Sequence, residues 1–116
     1  MDETGRRVVC VDLNGVLDTY HGWRDEAHWD PPTAEARSFL EGLVNAGFDV
    51  VVFTTRWAPD ARRWLEEYGL LHLVTDVTDR KPPAHVFVDD RAVCFRGDYA
   101  RTLADVIAFR AHWENP

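Results

Sequence analysis

Three short apolar runs of this 116-residue chain end in side chains that can do chemistry. Asp12 closes VVCVD (8–12), Thr54 and Thr55 close DVVVFTT (49–55), and Asp89 with Asp90 closes HVFVDD (85–90). A further run, LVTDV (73–77), is followed by Lys81, a single lysine among twelve arginines. Brought together, the three carboxylates repel one another unless a cation joins them. Oxygen donors with no suitably grouped histidine or cysteine point to Mg2+ rather than zinc. A divalent cation beside an ammonium and hydroxyls neutralises a phosphoryl group, and Asp12 would then be the nucleophile that accepts it.

The elements must deliver these tips to one place. All four runs are apolar on successive residues, as strands covered on both faces are. Between the first two, PPTAEARSFLEGLVNAGF predicts a helix capped by Thr33, with Phe39, Leu40, Leu43 and Val44 at helical spacing and Gly47 as its stop. APDARRWLEEYGL predicts a second, with Asp60 as cap, Trp64, Leu65 and Tyr68 on one stripe, and Gly69 at its end. DYARTLADVIAFRAHW predicts a closing amphipathic helix that places Leu103, Val106, Ile107 and Phe109 to Trp113 on the domain. Strands alternating with helices in one short chain read as α/β with a parallel sheet, which binds ligands beyond the carboxyl ends of its strands.

The totals narrow the partners. A formal net charge of −7 argues against nonspecific nucleic-acid binding. No apolar stretch is long enough to span a bilayer, and MDETGRR lacks the apolar core of a secretion signal, so the expected location is cytoplasmic. Cys10 and Cys94 then read as inert reduced thiols. Five tryptophans leave room for a homodimer contact.

The chain resembles the haloacid dehalogenase superfamily of aspartate-nucleophile phosphotransferases. Four motifs stand in that family's order across about residues 7–98: DLNGV, VVFTT, KPP and VFVDDR. The resemblance implies a three-layer, Rossmann-like parallel sheet with flanking helices and no cap domain, forming one domain over 1–116 with a short flap at about 17–32. It implies Asp12 as nucleophile and Mg2+ ligand, with Asn14 offering its backbone carbonyl to the metal. Thr54 would hold a phosphate oxygen, Lys81 would neutralise nucleophile and phosphate, and Asp89 and Asp90 would complete the metal site. The VDDR ending is similar to the polynucleotide 3′-phosphatase branch, which keeps 3′-phosphate ends beside phosphorylated small molecules and nucleotides as substrates. A response-regulator receiver uses similar groups, but there the acid pair comes first; here it comes last.

Asn14 departs from the family pattern, which has a second aspartate there to protonate the leaving group. General acid–base help is worth about 10²–10⁴-fold, so two readings stay open. One is a slow Mg2+-dependent phosphomonoester hydrolase acting through an aspartyl-phosphate. The other is a phosphate-binding or regulatory module with little turnover. Asp18 is either a solvated loop acid or a substitute proton carrier. Thr55, Arg56, Trp23 and Arg91 are candidate substrate contacts, and Tyr20, Trp29, His21 and Arg24 are further flap candidates. Packing and ion pairing compete as explanations for all of them.

Overall fold

The structure is a computed structural model that describes residues 5–114. Four strands, β1 (Arg7–Asp12), β2 (Phe48–Phe53), β3 (Asp76–Thr78) and β4 (Val86–Val88), form one sheet in the order β3-β2-β1-β4. Every pairing is parallel. Helices α1 (Ala36–Asn45) and α2 (Ala58–Glu67) connect β1 to β2 and β2 to β3. The α/β class and the parallel sheet stand, but cover on both faces holds only along β1, where Val9, Cys10 and Val11 are all buried; at the edge strand β4, Val86 and Phe87 are exposed.

Side chains alternate across a strand, so the sheet has two unlike faces. On one, Val9, Val11, Val50, Val52 and Val77 are buried with Leu40 of α1 and Ala61, Trp64 and Leu65 of α2. The other carries Cys10 and Asp12 from β1, Phe53 from β2 and Phe87 from β4. Register then does the positioning. Asp12 pairs with Phe53, and Val11 pairs with Val88, so the residue after β4, Asp89, emerges beside Asp12.

Helix boundaries differ from the expected caps. At Thr33 the backbone carbonyl, not the hydroxyl, receives the amide of Ala36, and α1 starts behind Glu35 without a side-chain cap. In α2 the cap position is Trp57, with Pro59 in the first turn, where its missing N–H costs nothing. Asp60 lies inside that turn, where its charge faces the positive end of the helix dipole. The stop at Gly69 stands as expected. Its φ of 69°, with Gly69 N–H bonded to Glu66 and Leu70 N–H to Leu65, makes a Schellman turn. The third run is mostly turn: Leu71–Leu73 forms a single 3₁₀ turn before β3 begins at Asp76.

The last segment departs most. Helix α3 (Tyr99–Ala108) is capped by the Asp98 carboxylate, which accepts the Arg101 amide at 3.0 Å. It stops five residues short of Trp113, because Phe109 turns extended at φ −61°, ψ 137°. No residue of α3 is buried, and it makes no substantial contact with another helix or strand. The expected closure of the domain by this helix, and with it a packed third layer, is therefore absent from this chain's described residues.

The segment between β1 and α1, the expected flap, is a loop pinned at its base. Asp18 and Pro32 form an antiparallel bridge, Thr19 N–H donates to the Pro31 carbonyl at 2.9 Å, and the Trp64 indole donates to the Asp30 carbonyl at 2.9 Å.

Candidate active site

Beyond the carboxyl edge of the sheet lies a cavity of about 420 Å³, lined by Asp12, Asn14, Tyr20, Trp23, Phe53, Thr55, Arg56, Asp89, Asp90 and Arg91. One carboxylate oxygen from each of Asp12, Asp89 and Asp90 lies within 4.8 Å of the other two. Two adjacent parallel strands deliver them, which is why residues so far apart in the chain meet.

This concentration of negative charge shows in the protonation of Asp12. Burial, a hydrogen bond with Asp90 and the charges of Asp89 and Asp90 push its pKa up to about 8, against a smaller opposing pull from Lys81. Asp89 behaves oppositely. Burial works to raise it, but the Lys81 ammonium at 2.6 Å and the Arg91 amide at 2.9 Å on its other oxygen hold it below the ordinary carboxylate range. Lys81 is itself raised by that bond. Its ammonium also lies 5.4 Å and 5.6 Å from the ring centres of Phe53 and Phe87, which seat it on this face of the sheet. Three hard oxygen donors, one with its pKa raised by burial and by its acidic neighbours, fit a divalent cation whose binding would displace the Asp12 proton. When bound, such a cation supplies charge neutralisation for an incoming anion.

The loop after β1 explains the amide at Asn14. Asp18, only 2% exposed, takes three donors: Asn14 Nδ2 at 2.7 Å, Gly15 N–H at 2.8 Å and Tyr20 N–H at 3.0 Å. Burial raises its pKa against the pull of those donors. Asp18 is thus neither a solvated loop acid nor a cavity group; it is the buried anchor of the loop. Because Asp18 needs the amide's N–H, Asn14 presents its carbonyl oxygen elsewhere, and the residue lines the cavity. Gly15 sits at φ 86°, where a Cβ would overlap the Asp90 carboxylate and the Trp113 indole, so both conformation and space demand glycine.

Of the two threonines, Thr55 lines the cavity and Thr54 does not. Asp12 and Phe53 share a face, so Thr54 points to the opposite, helix-covered one. It is fully buried and its hydroxyl accepts the Arg56 amide at 3.0 Å. Thr55, one residue on, lines the cavity.

Arg56 borders the cavity, but its guanidinium is committed to the flap. It donates to the carbonyls of His28 at 2.7 Å and Glu26 at 2.6 Å, and lies 3.8 Å from the Trp29 ring centre and 5.2 Å from that of Trp23. Trp29 consequently packs as a structural ring, and His28 pairs with Asp30 at 2.9 Å. Trp23 and Tyr20 remain on the cavity wall. His21 bonds locally to the Thr19 carbonyl at 3.2 Å, and neither it nor Arg24 lines the cavity. Arg91 lines the cavity with its guanidinium 5.1 Å from the Trp113 ring centre, and no carboxylate pairs with it among the described residues.

Sequence reasoning missed the C-terminal segment. After α3 the chain returns to the site: Trp113 Nε1 donates to Asp90 at 2.5 Å, His112 Nε2 meets the Gly15 carbonyl at 2.5 Å, and Trp113 packs edge-on against Tyr20. Three site elements are latched at once. Only Gly15 hinted at a close neighbour; nothing local named Trp113.

Comparison of the chain with family models, with curated proteins and with solved structures yields no match.

Proposed function

We propose that this protein is a Mg2+-dependent phosphomonoester hydrolase that works through an aspartyl-phosphate, slowly toward poor leaving groups. The observation that supports it most is the meeting of Asp12, Asp89 and Asp90 at one end of a cavity whose walls also carry Thr55 and Arg91. The family resemblance in the order of the acids and Lys81 points the same way. Soluble, cytoplasmic operation on phosphorylated small molecules or nucleotides belongs to the same proposal.

Bound Mg2+ would neutralise the acid cluster and the incoming phosphate. Asp12, freed of its proton, attacks phosphorus in line, and the bond to the leaving oxygen breaks as the new P–O bond forms. Lys81 holds Asp89 in place and adds positive charge beside Asp12. Thr55 and Arg91 supply donors for the phosphate oxygens. Water then attacks phosphorus, the P–O bond to Asp12 breaks, and Asp12 returns as carboxylate while inorganic phosphate leaves and the water's proton passes to solvent. The Asn14 amide, whose N–H is given to Asp18, exchanges no proton, so an alkoxide leaves unaided while a phenolate needs no help.

The same groups support a second reading, a phosphate-responsive module, because the Asn14 amide is built into the loop through Asp18 rather than placed for proton transfer. Incubation with p-nitrophenyl phosphate and Mg2+, beside thermal shifts with Mg2+ and inorganic phosphate, separates them. Turnover abolished by chelator and by Asp12→Asn supports the hydrolase. Stabilisation without turnover supports the module, and neither response refutes both.

A further inference from the structure

Helix α3 stands almost wholly in solvent, with no residue buried. Its polar side, Arg101, Thr102 and Asp105, faces the loop that carries Cys94, Arg96 and Asp98, around a shared depression. Its apolar stripe points to solvent: Tyr99 is 82% exposed, Leu103 61%, Val106 55% and Ile107 77%. Phe95, which packs against Tyr99 at 4.9 Å between ring centres, and Phe109 extend the stripe, and both are exposed. Val86 and Phe87 of β4 are exposed as well, on opposite faces of an edge strand. Leaving an apolar stripe of this extent in water is unfavourable for an isolated chain, and patches of this size mark contact surfaces.

We propose that this stripe is the contact between two copies of the chain, related by a two-fold axis beside Leu103. Three observations favour a second copy over other occupants. The stripe is self-complementary: Tyr99 and Ile107 stand four residues either side of Leu103, so an antiparallel partner lays each Tyr99 against the other copy's Ile107. No charged residue interrupts it, since Arg101 and Asp105 lie on the far side of the helix. The exposed area of these apolar side chains is at most roughly 800 Å² per copy, an upper bound that reaches what each partner of a standard interface contributes. A net charge of −7 works against an anionic lipid surface. The tryptophans are not the source of the contact, because none of the five lies on α3.

Sedimentation equilibrium of the full chain should show a dimer at micromolar concentration. Leu103→Asp should weaken it roughly a hundredfold or more, because a symmetric contact carries the change twice, with an unchanged far-ultraviolet spectrum. In a Cys94→Ser background, Leu103→Cys should crosslink to itself under mild oxidation, whereas Arg101→Cys on the opposite side should not. A wild type that stays monomeric overturns the proposal, and so does a dimer indifferent to Leu103→Asp. Equal crosslinking at both positions does the same, and so does a monomer that partitions onto lipid vesicles.

Discussion

Replacing Asp12 by asparagine should make the metal-free protein more stable while abolishing turnover. Asp12 is held at a pKa of about 8, first by burial and then by Asp90 and Asp89, against an ordinary value of 3.8. Between those values the folded chain keeps a proton that the unfolded chain has released. Stability contributed by Asp12 is therefore full below pH 3.8 and is lost as pH rises toward 8. At pH 7 the full cost is roughly 4 kcal/mol at about 1.36 kcal/mol per unit. Solvent reaches the cavity, and screening there leaves about 2 kcal/mol of it. The substituted amide keeps the shape, offers an N–H to Asp90 and carries no proton cost, so the variant's melting temperature at pH 7 should rise by about 5–10 °C. Calorimetry from pH 5 to 8 with chelator present checks this, and the wild type should lose stability across that range more steeply than Asp12→Asn. Part of the slope should survive in the variant, because Asp18 is raised by burial too. An Asp12→Asn protein no more stable than wild type at pH 7, with the same slope, would show that the three acids are not electrostatically frustrated and that no cation is needed to join them.

Mg2+ affinity should climb close to tenfold per pH unit up to about pH 8 and then level, since binding must release the Asp12 proton; titration calorimetry in buffers of different ionisation enthalpy should count about one proton. Asn14→Asp removes the donor that Asp18 relies on, so the new acid must carry a proton to serve Asp18. It should cost about 1–3 kcal/mol of stability above neutral pH and raise turnover of an alkyl phosphate far more than that of an aryl phosphate, within the ~10²–10⁴-fold range of acid–base help; equal effects on both esters would remove the leaving-group argument. Trp113→Phe deletes the indole donor to Asp90 and should weaken Mg2+ about 10–100-fold while kcat at saturating Mg2+ changes little; an unchanged Mg2+ titration would reduce Trp113 to packing.

Much of the site could be read from one dimension because parallel strands point the same way. Runs that end in acids must deliver them to the same edge, so the meeting of Asp12, Asp89 and Asp90 was legible in the sequence. One threonine was not, although the signal existed. Side chains alternate along a strand, and once Asp12 pairs with Phe53 it is Thr55, two positions on, that shares their face. Arg56 follows the threonines as a cation should beside phosphate, yet its donors are taken by flap carbonyls, and local sequence carries no mark of which partner a guanidinium finds. Asp18 looked like a surface acid because burial is set by the loop that folds over it.

What the amino-acid order determined by itself was local and periodic: apolar runs that become strands, stripes that become helices, a glycine that ends α2, and acids at strand tips. What only the tertiary structure decided was which distant groups touch and what covers what. His112 reaches Gly15 across 97 positions and Trp113 reaches Asp90, contacts that no spacing rule encodes because they arise from the path of the chain after α3. The stripe on α3 is equally plain in the sequence. Periodicity shows that a helix has an apolar side, but only the path of the chain shows that this side is left off its own sheet and exposed.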